Sequence, residues 1–237
     1  VGASLSDLAA MGAEATAAVA VYAAPSFDAA ELEAFVDGAA DVCDSVGAQY
    51  VGGDLDHHQE LTVVTSAVGR SETPVRRSGA NPGDRVCVTG TLGRTAAALR
   101  RFEAGEHEFG NSLFRFEPRV PAGRALASTA TAMMDSSDGL ARSLHQLAAA
   151  SGCGFAIDGE AVPIDESVQA VAADREDAME LATTVGEDFE LVFTIDPAAV
   201  EGARDRAPGP ISVIGEVTDS GVTLDGEPLA DAGYTHG

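Results

Sequence analysis

Between residues 28 and 46 the apolar positions Leu32, Phe35, Val36, Ala39, Val42 and Cys43 recur at helical spacing, and Asp28 stands where a side chain would cap the first turn. The same reading predicts a short helix over 5–13 (LSDLAAMGA), closing near Gly12, and a strand over 16–22. Two short β-like runs follow at 48–52 (AQYVG) and 61–68 (LTVVTSAV), bracketing a polar loop over 53–60.

From Gly69 to Asp84 proline, glycine and asparagine crowd the chain, as they do at a domain junction, which suggests a division into 1–72 and 73–237. Beyond it RVCVTG reads as a strand, 93–103 as a helix and 118–130 as a helix begun by Pro118. The strand TAMMD leads into the helix SSDGLARSLHQLAAA, with Leu140, Leu144 and Leu147 on one face. Then come the strand CGFAID, acidic helical segments up to Thr183, the strand FELVFTI, a helix from Pro197, and the strands ISVIGEV and GVTL. No regular βαβ period and no internal repeat emerges, so the expected fold is α+β in two lobes.

Composition narrows the partners. The 237 residues carry 38 acidic against 14 basic side chains, a formal net charge of -24, and every basic residue is Arg. That field repels nucleic-acid phosphates and anionic lipid, so neither is an expected partner. The acids are dispersed along the chain, as on a surface adapted to high salt, although a merely acidic protein would have the same balance. Cys43, Cys87 and Cys153 are far apart and odd in number, which reads as buried thiols in a reducing cytoplasm. No apolar run reaches the roughly 18 residues of a membrane span. The chain opens on Val1 with a helix-like segment close behind, which suggests a piece of a longer polypeptide.

Three carboxylate clusters lie at predicted strand ends. Gly52-Gly53-Asp54 could present backbone N–H groups to a phosphate with a carboxylate to hold Mg²⁺, or could be a turn with a solvated Asp. Asp135-Ser136-Ser137-Asp138 precedes a helix, so its side chains are either caps or cation ligands bridging to phosphate. Gly186-Glu187-Asp188 either caps or edges the next strand, or serves a ligand. Asp54, Asp56, His57 and His58 admit a transition-metal site, but the abundance of hard carboxylates favours Mg²⁺. Arg76-Arg77, Arg115 and Arg119 are scarce cations, either surface residues or phosphate partners. Neither a P-loop nor a G-x-S-x-G nor an H-E-x-x-H motif occurs.

The segments LSDLAAMGA (5–13), VGGD (51–54), RRSGANPGD (76–84), VTGTLG (88–93), RFEPR (115–119), DSSDGL (135–140), VGEDFELVFT (185–194), VIGEV (213–217) and GYTH (233–236) together resemble the thiamine-monophosphate kinases. These belong to the superfamily of aminoimidazole ribonucleotide synthetase and selenophosphate synthetase. The resemblance implies ATP-dependent phosphorylation of thiamine monophosphate to thiamine diphosphate, by a cytoplasmic homodimer. The first region would be what remains of an ATP-binding, dimerising domain, and the second would close over substrate. It further implies Asp7, Asp54, Asp135 and Asp138 as magnesium ligands; Gly53, Asp54, Arg77 and Ser137 at ATP; and Glu187 and Tyr234 at thiamine phosphate. No protein nucleophile is implied, because the substrate phosphate attacks. Leu55, Val185 and Arg94 depart from residues frequent in the family. The family's opening segment, with a G-D-D magnesium motif and a T-T-D strand, does not occur in these residues, which implies weak ATP binding and little turnover for 1–237 alone. Alternatives are a related ATP-dependent enzyme of the superfamily on another substrate, or a non-catalytic domain that binds nucleotide or dimerises.

Overall fold

A computed structural model describes residues 1–234. Its first part is helix α1 (Gly2–Ala10), strand β1 (Glu14–Ala24), helix α2 (Ala29–Ser45), and strands β2 (Gln49–His57) and β3 (Thr62–Arg70). The three strands form one sheet in the order β2-β1-β3, with β1 parallel to β2 and antiparallel to β3. Asp28 caps α2 as its type predicts, its carboxylate accepting from the N–H groups of Ala30 and Glu31. The predicted loop 53–60 is instead largely strand. β2 pairs with β1 as far as His57, because ladder hydrogen bonds to a neighbour outweigh the low strand preference of Gly and Asp.

The second part is built on a seven-stranded sheet. Its strands are β4 (Arg85–Thr89), β5 (Ala130–Asp135), β6 (Gly154–Ile157), β7 (Leu191–Ile195), β8 (Ile211–Thr218), β9 (Val222–Leu224) and β10 (Glu227–Pro228). They run in the order β10-β9-β6-β8-β4-β7-β5, antiparallel except for β6 and β9. The helices are α3 (Arg94–Glu103), α4 (His107–Phe114), α5 (Val120–Leu126), α6 (Leu140–Ser151), α7 (Glu166–Gln169), α8 (Arg175–Thr184) and α9 (Val200–Arg206). α4 went unrecognised in the sequence. α5 is shorter than the predicted 118–130 and takes Pro121, not Pro118, in its first turn.

Side-chain alternation along the central strands divides the core. Cys87, Met133, Leu191, Phe193 and Ile195 face α1, α5 and α9, while Val86, Val88, Met134 and Val192 face α6. Leu5, Ala15 and Cys43 of the first part belong to the same apolar cluster as Met133 and Phe193, so one continuous core joins the three-stranded unit to the larger sheet. That junction sets α1 against the end of β5, where the first cavity lies.

Candidate functional site

Asp7 and Asp135 meet across this junction. Leu5 and Ala9, both fully buried, hold α1 down, so Ser6 points inward and its hydroxyl donates to Asp135 Oδ2 at 2.8 Å. Segment 75–77 runs beside β5, with Val75 N–H donating to Met11 O and Met133 N–H to Arg76 O. The result is a cavity of about 300 Å³ lined by Asp7, Met11, Arg76, Arg77, Met134 and Asp135. Burial raises the pKa of Asp7, against the pull of Arg77. Burial raises that of Asp135 as well; Ser6 opposes the rise and the neighbouring Asp7 adds to it. Two oxygen-donor carboxylates that burial destabilises as anions, Asp135 further so by the charge of Asp7, suit a hard divalent cation.

The predicted neighbours Ser137 and Asp138 lie on the loop that leaves β5. They are not helix caps: α6 starts from Gly139, and no side chain caps its free N–H groups. The loop is instead held by backbone. Ser136 N–H donates to Glu190 O at 2.7 Å, Glu187 N–H to Ser137 O at 2.8 Å, and Phe189 N–H to Ser136 O at 3.3 Å. Gly186 permits this approach, because a Cβ there would overlap Ser137 O. On the loop's other side Tyr234 N–H donates to Asp138 O at 3.1 Å, and Arg142 holds the tail through Asp231 and the Tyr234 carbonyl. Glu187 and Tyr234 are thus brought to the same loop as Ser137 and Asp138. Thr235 and His236 of the GYTH segment lie outside the described residues.

In the GEDFE segment the acids divide by role. Asp188 is buried and accepts from Gly93 N–H and Thr95 N–H, capping α3 from a distance of more than 90 residues in sequence. Burial pushes its pKa up to about 6, and the two N–H groups and Arg94 only partly offset this. Glu190, also buried, receives Thr89 Oγ1 at 2.6 Å and a two-pronged contact from Arg119 Nε and Nη2. Ser6, Thr95, Glu190 and Arg142 were not singled out from the sequence. A glutamate directly before the apolar run LVFTI was a usable signal, because an acid beside a central strand needs a cation partner.

Asp54 lies elsewhere. It sits on β2 in register with Val21, its Oδ1 accepts from Leu55 N–H, and it lines a separate cavity of about 430 Å³ with Tyr22, Phe35 and Tyr50. Gly53 is needed for close approach to backbone, because a Cβ there would overlap Ala20 O beside a bulge in the ladder. His57 packs against the Phe27 ring at 4.9 Å, and His58 bonds Glu60 O. Among the described residues no three or more His, Cys, Asp or Glu side chains gather closely enough to hold a metal, so Asp54 and Asp138 do not join Asp7 and Asp135 in one cluster. Nor is any helix among them long and apolar enough to cross a membrane.

Two family models match, the AIR synthase related protein N-terminal domain over residues 1–71 and its C-terminal domain over 81–226. The thiamine-monophosphate kinase of Halobacterium salinarum is 60% identical over 238 residues, which is all of this chain and 82% of that protein. Among solved structures, thiamine-monophosphate kinase from Stenotrophomonas maltophilia superposes with a TM-score of 0.88 at 32% identity, covering 96% of this chain and 77% of the other. AaThiL complexed with AMPPCP and TMP superposes with a TM-score of 0.87 at 28% identity, covering 98% and 77%. With its α+β architecture and near-complete alignment to these proteins, the chain belongs to the thiamine-monophosphate kinase family.

Proposed function

We propose that this chain transfers the terminal phosphoryl group of ATP to thiamine monophosphate, giving ADP and thiamine diphosphate. The observation that carries the reading is the cavity in which Asp7 and Asp135 face Arg77, in a chain whose solved relative was captured with AMPPCP and TMP. Arg77 supplies a fixed positive charge for nucleotide phosphate, and the half-buried Ser137–Asp138 loop lies between that cavity and Glu187 and Tyr234. An attacking substrate phosphate needs no protein nucleophile, so the side chains have only to hold two anions in line and exclude competing geometry.

Asp7 and Asp135 are the best-fitted magnesium ligands, with Asp138 and Asp54 as the other assigned carboxylates. When bound there, magnesium would offset the charge of the phosphates. The homodimer contact is assigned to the open face of the three-stranded sheet, where Val19, Val21, Val64 and Val68 are exposed in neighbouring register. Asp54, in register with Val21, lies at the border of that face. An all-Arg, strongly acidic chain is further proposed to be a salt-adapted protein of a reducing cytoplasm; its three cysteines are unbridged.

The test is direct. Incubated with ATP, Mg²⁺ and thiamine monophosphate in high KCl, the protein should form thiamine diphosphate, and turnover by residues 1–237 alone would overturn the expectation that the family's G-D-D and T-T-D segment is needed for it. Nucleotide binding without turnover would favour a non-catalytic domain, and turnover with a different phosphate acceptor would favour another enzyme of the superfamily.

A further inference from the structure

Resting on that reading, we infer that Asp188 is a positioning residue: it fixes the turn 186–190, and through that turn the loop 136–138 and the substrate-facing Glu187. The turn is costly to form. Glu187 and Phe189, on either side of Asp188, both adopt positive φ, at 68° and 53°, a region that side chains with a Cβ rarely enter. Nothing in their own sequence favours that shape, so it persists only where the surroundings impose it.

The constraint comes from helix α3. Asp188 is buried and accepts from the N–H groups of Gly93 and Thr95, one on each carboxylate oxygen. Thr95 adds a hydroxyl donated to Glu187 O at 2.9 Å. Gly93 is itself at φ 90°, and a Cβ there would overlap the Val168 side chain, so the donor side of the pair cannot drift. One carboxylate therefore ties the start of α3 to the middle of the turn. Beyond it, stacking of Phe189 on Phe116 at 4.2 Å and the Glu190–Arg119 pair hold the following residues.

What the turn carries is the site loop. Glu187 and Phe189 donate backbone N–H groups to Ser137 O and Ser136 O, and Ser136 donates back to Glu190 O. Asp138, next along, receives Tyr234 N–H. Shifting Asp188 would move Glu187 directly, and Ser137, Asp138 and Tyr234 through one or two backbone bonds each. A displacement of about 1 Å at such groups can cost on the order of 100-fold in rate.

The experiment compares Asp188→Asn with the wild type and with Val217→Ala, a cavity variant at the far end of β8, in the whole chain. The Asn side chain keeps the shape but can accept at only one of the two N–H groups. In free protein, amide exchange at Ser136, Glu187 and Phe189 should quicken roughly tenfold or more in Asp188→Asn, beyond its change in Val217→Ala at matched melting temperature. KM for thiamine monophosphate should rise by about tenfold or more, with a smaller change for ATP, and Val217→Ala should move neither. Unchanged exchange at the three amides overturns the inference, and so does faster exchange with an unchanged KM. A wild-type chain without thiamine-monophosphate kinase turnover would refute the functional reading instead, and the exchange comparison would then decide the anchor by itself.

Discussion

Ser6 and Asp135, separated by 129 positions in the chain, are joined by a fully buried hydrogen bond of 2.8 Å, the serine hydroxyl donating to Oδ2. The bond stabilises the ionised form of a carboxylate that burial otherwise drives toward protonation. It also fixes which oxygen of Asp135 remains available to a cation beside Asp7.

Replacing Ser6 by Ala removes that support without touching the cavity. The affinity for Mg²⁺ should fall by roughly 10- to 100-fold, the range seen for residues that hold a metal ligand in place. Asp135→Asn should lose more activity still, while the metal-free protein keeps or gains thermal stability, since a buried anion next to Asp7 is gone. Magnesium titration of activity, with melting curves recorded without metal, checks both. A clear loss of metal-free stability in Asp135→Asn would argue for a structural carboxylate.

Tyr234→Ala tests substrate contact. Its ring is largely exposed, and its backbone bond to Asp138 O survives the substitution. A stacked ring is worth about 1–3 kcal/mol, so KM for thiamine monophosphate should rise roughly tenfold or more while that for ATP stays close to wild type. Equal changes for the two substrates would assign Tyr234 to holding the tail.

Glu190→Gln separates fold from site. It leaves Arg119 without its ionic partner in a partly buried setting, and breaking such a pair costs about 3 kcal/mol, toward the low end because Arg119 retains some solvent. Chemical denaturation should show that loss. Stability within a few tenths of a kcal/mol of wild type would mean that the pair contributes little.

Asp188 gives a pH signature. Its folded pKa of about 6 lies above the ordinary value of 3.8, so its contribution to stability is full below pH 4 and is lost as pH rises through 6. Arg94 and Glu190 are the charges that act on it. Relative to Asp188→Asn, the wild type should therefore lose stability between about pH 4 and 6, by at most about 3 kcal/mol, and stay level above. Unfolding free energies measured for both proteins across that interval would show a flat difference if the carboxylate titrates normally.

Local pattern was enough for much of the fold. The spacing from Leu32 to Cys43 with Asp28 ahead of it specified α2 and its cap, and the leucines at 140, 144 and 147 specified the buried face of α6. Those signals are legible because helix periodicity and capping act over a few residues. α4 and the length of β2 were not legible. HEFGNSLF pairs Phe109 with Leu113 at helical spacing, but it is only eight residues long and Gly110, Asn111 and Ser112 between them are weak helix formers. β2 continues through Gly-Gly-Asp because β1 lies alongside to take its hydrogen bonds. The sequence also supplied the residue types of the site, since acids next to strand ends are conspicuous in any chain. Which acid does what was a tertiary decision. Asp7 and Asp135 share a cavity only because α1 packs on β5; Asp188 turns inward to cap α3; Asp54 lies on another sheet. A carboxylate's role follows from the dielectric and the donors around it, and these come from segments far away in the chain.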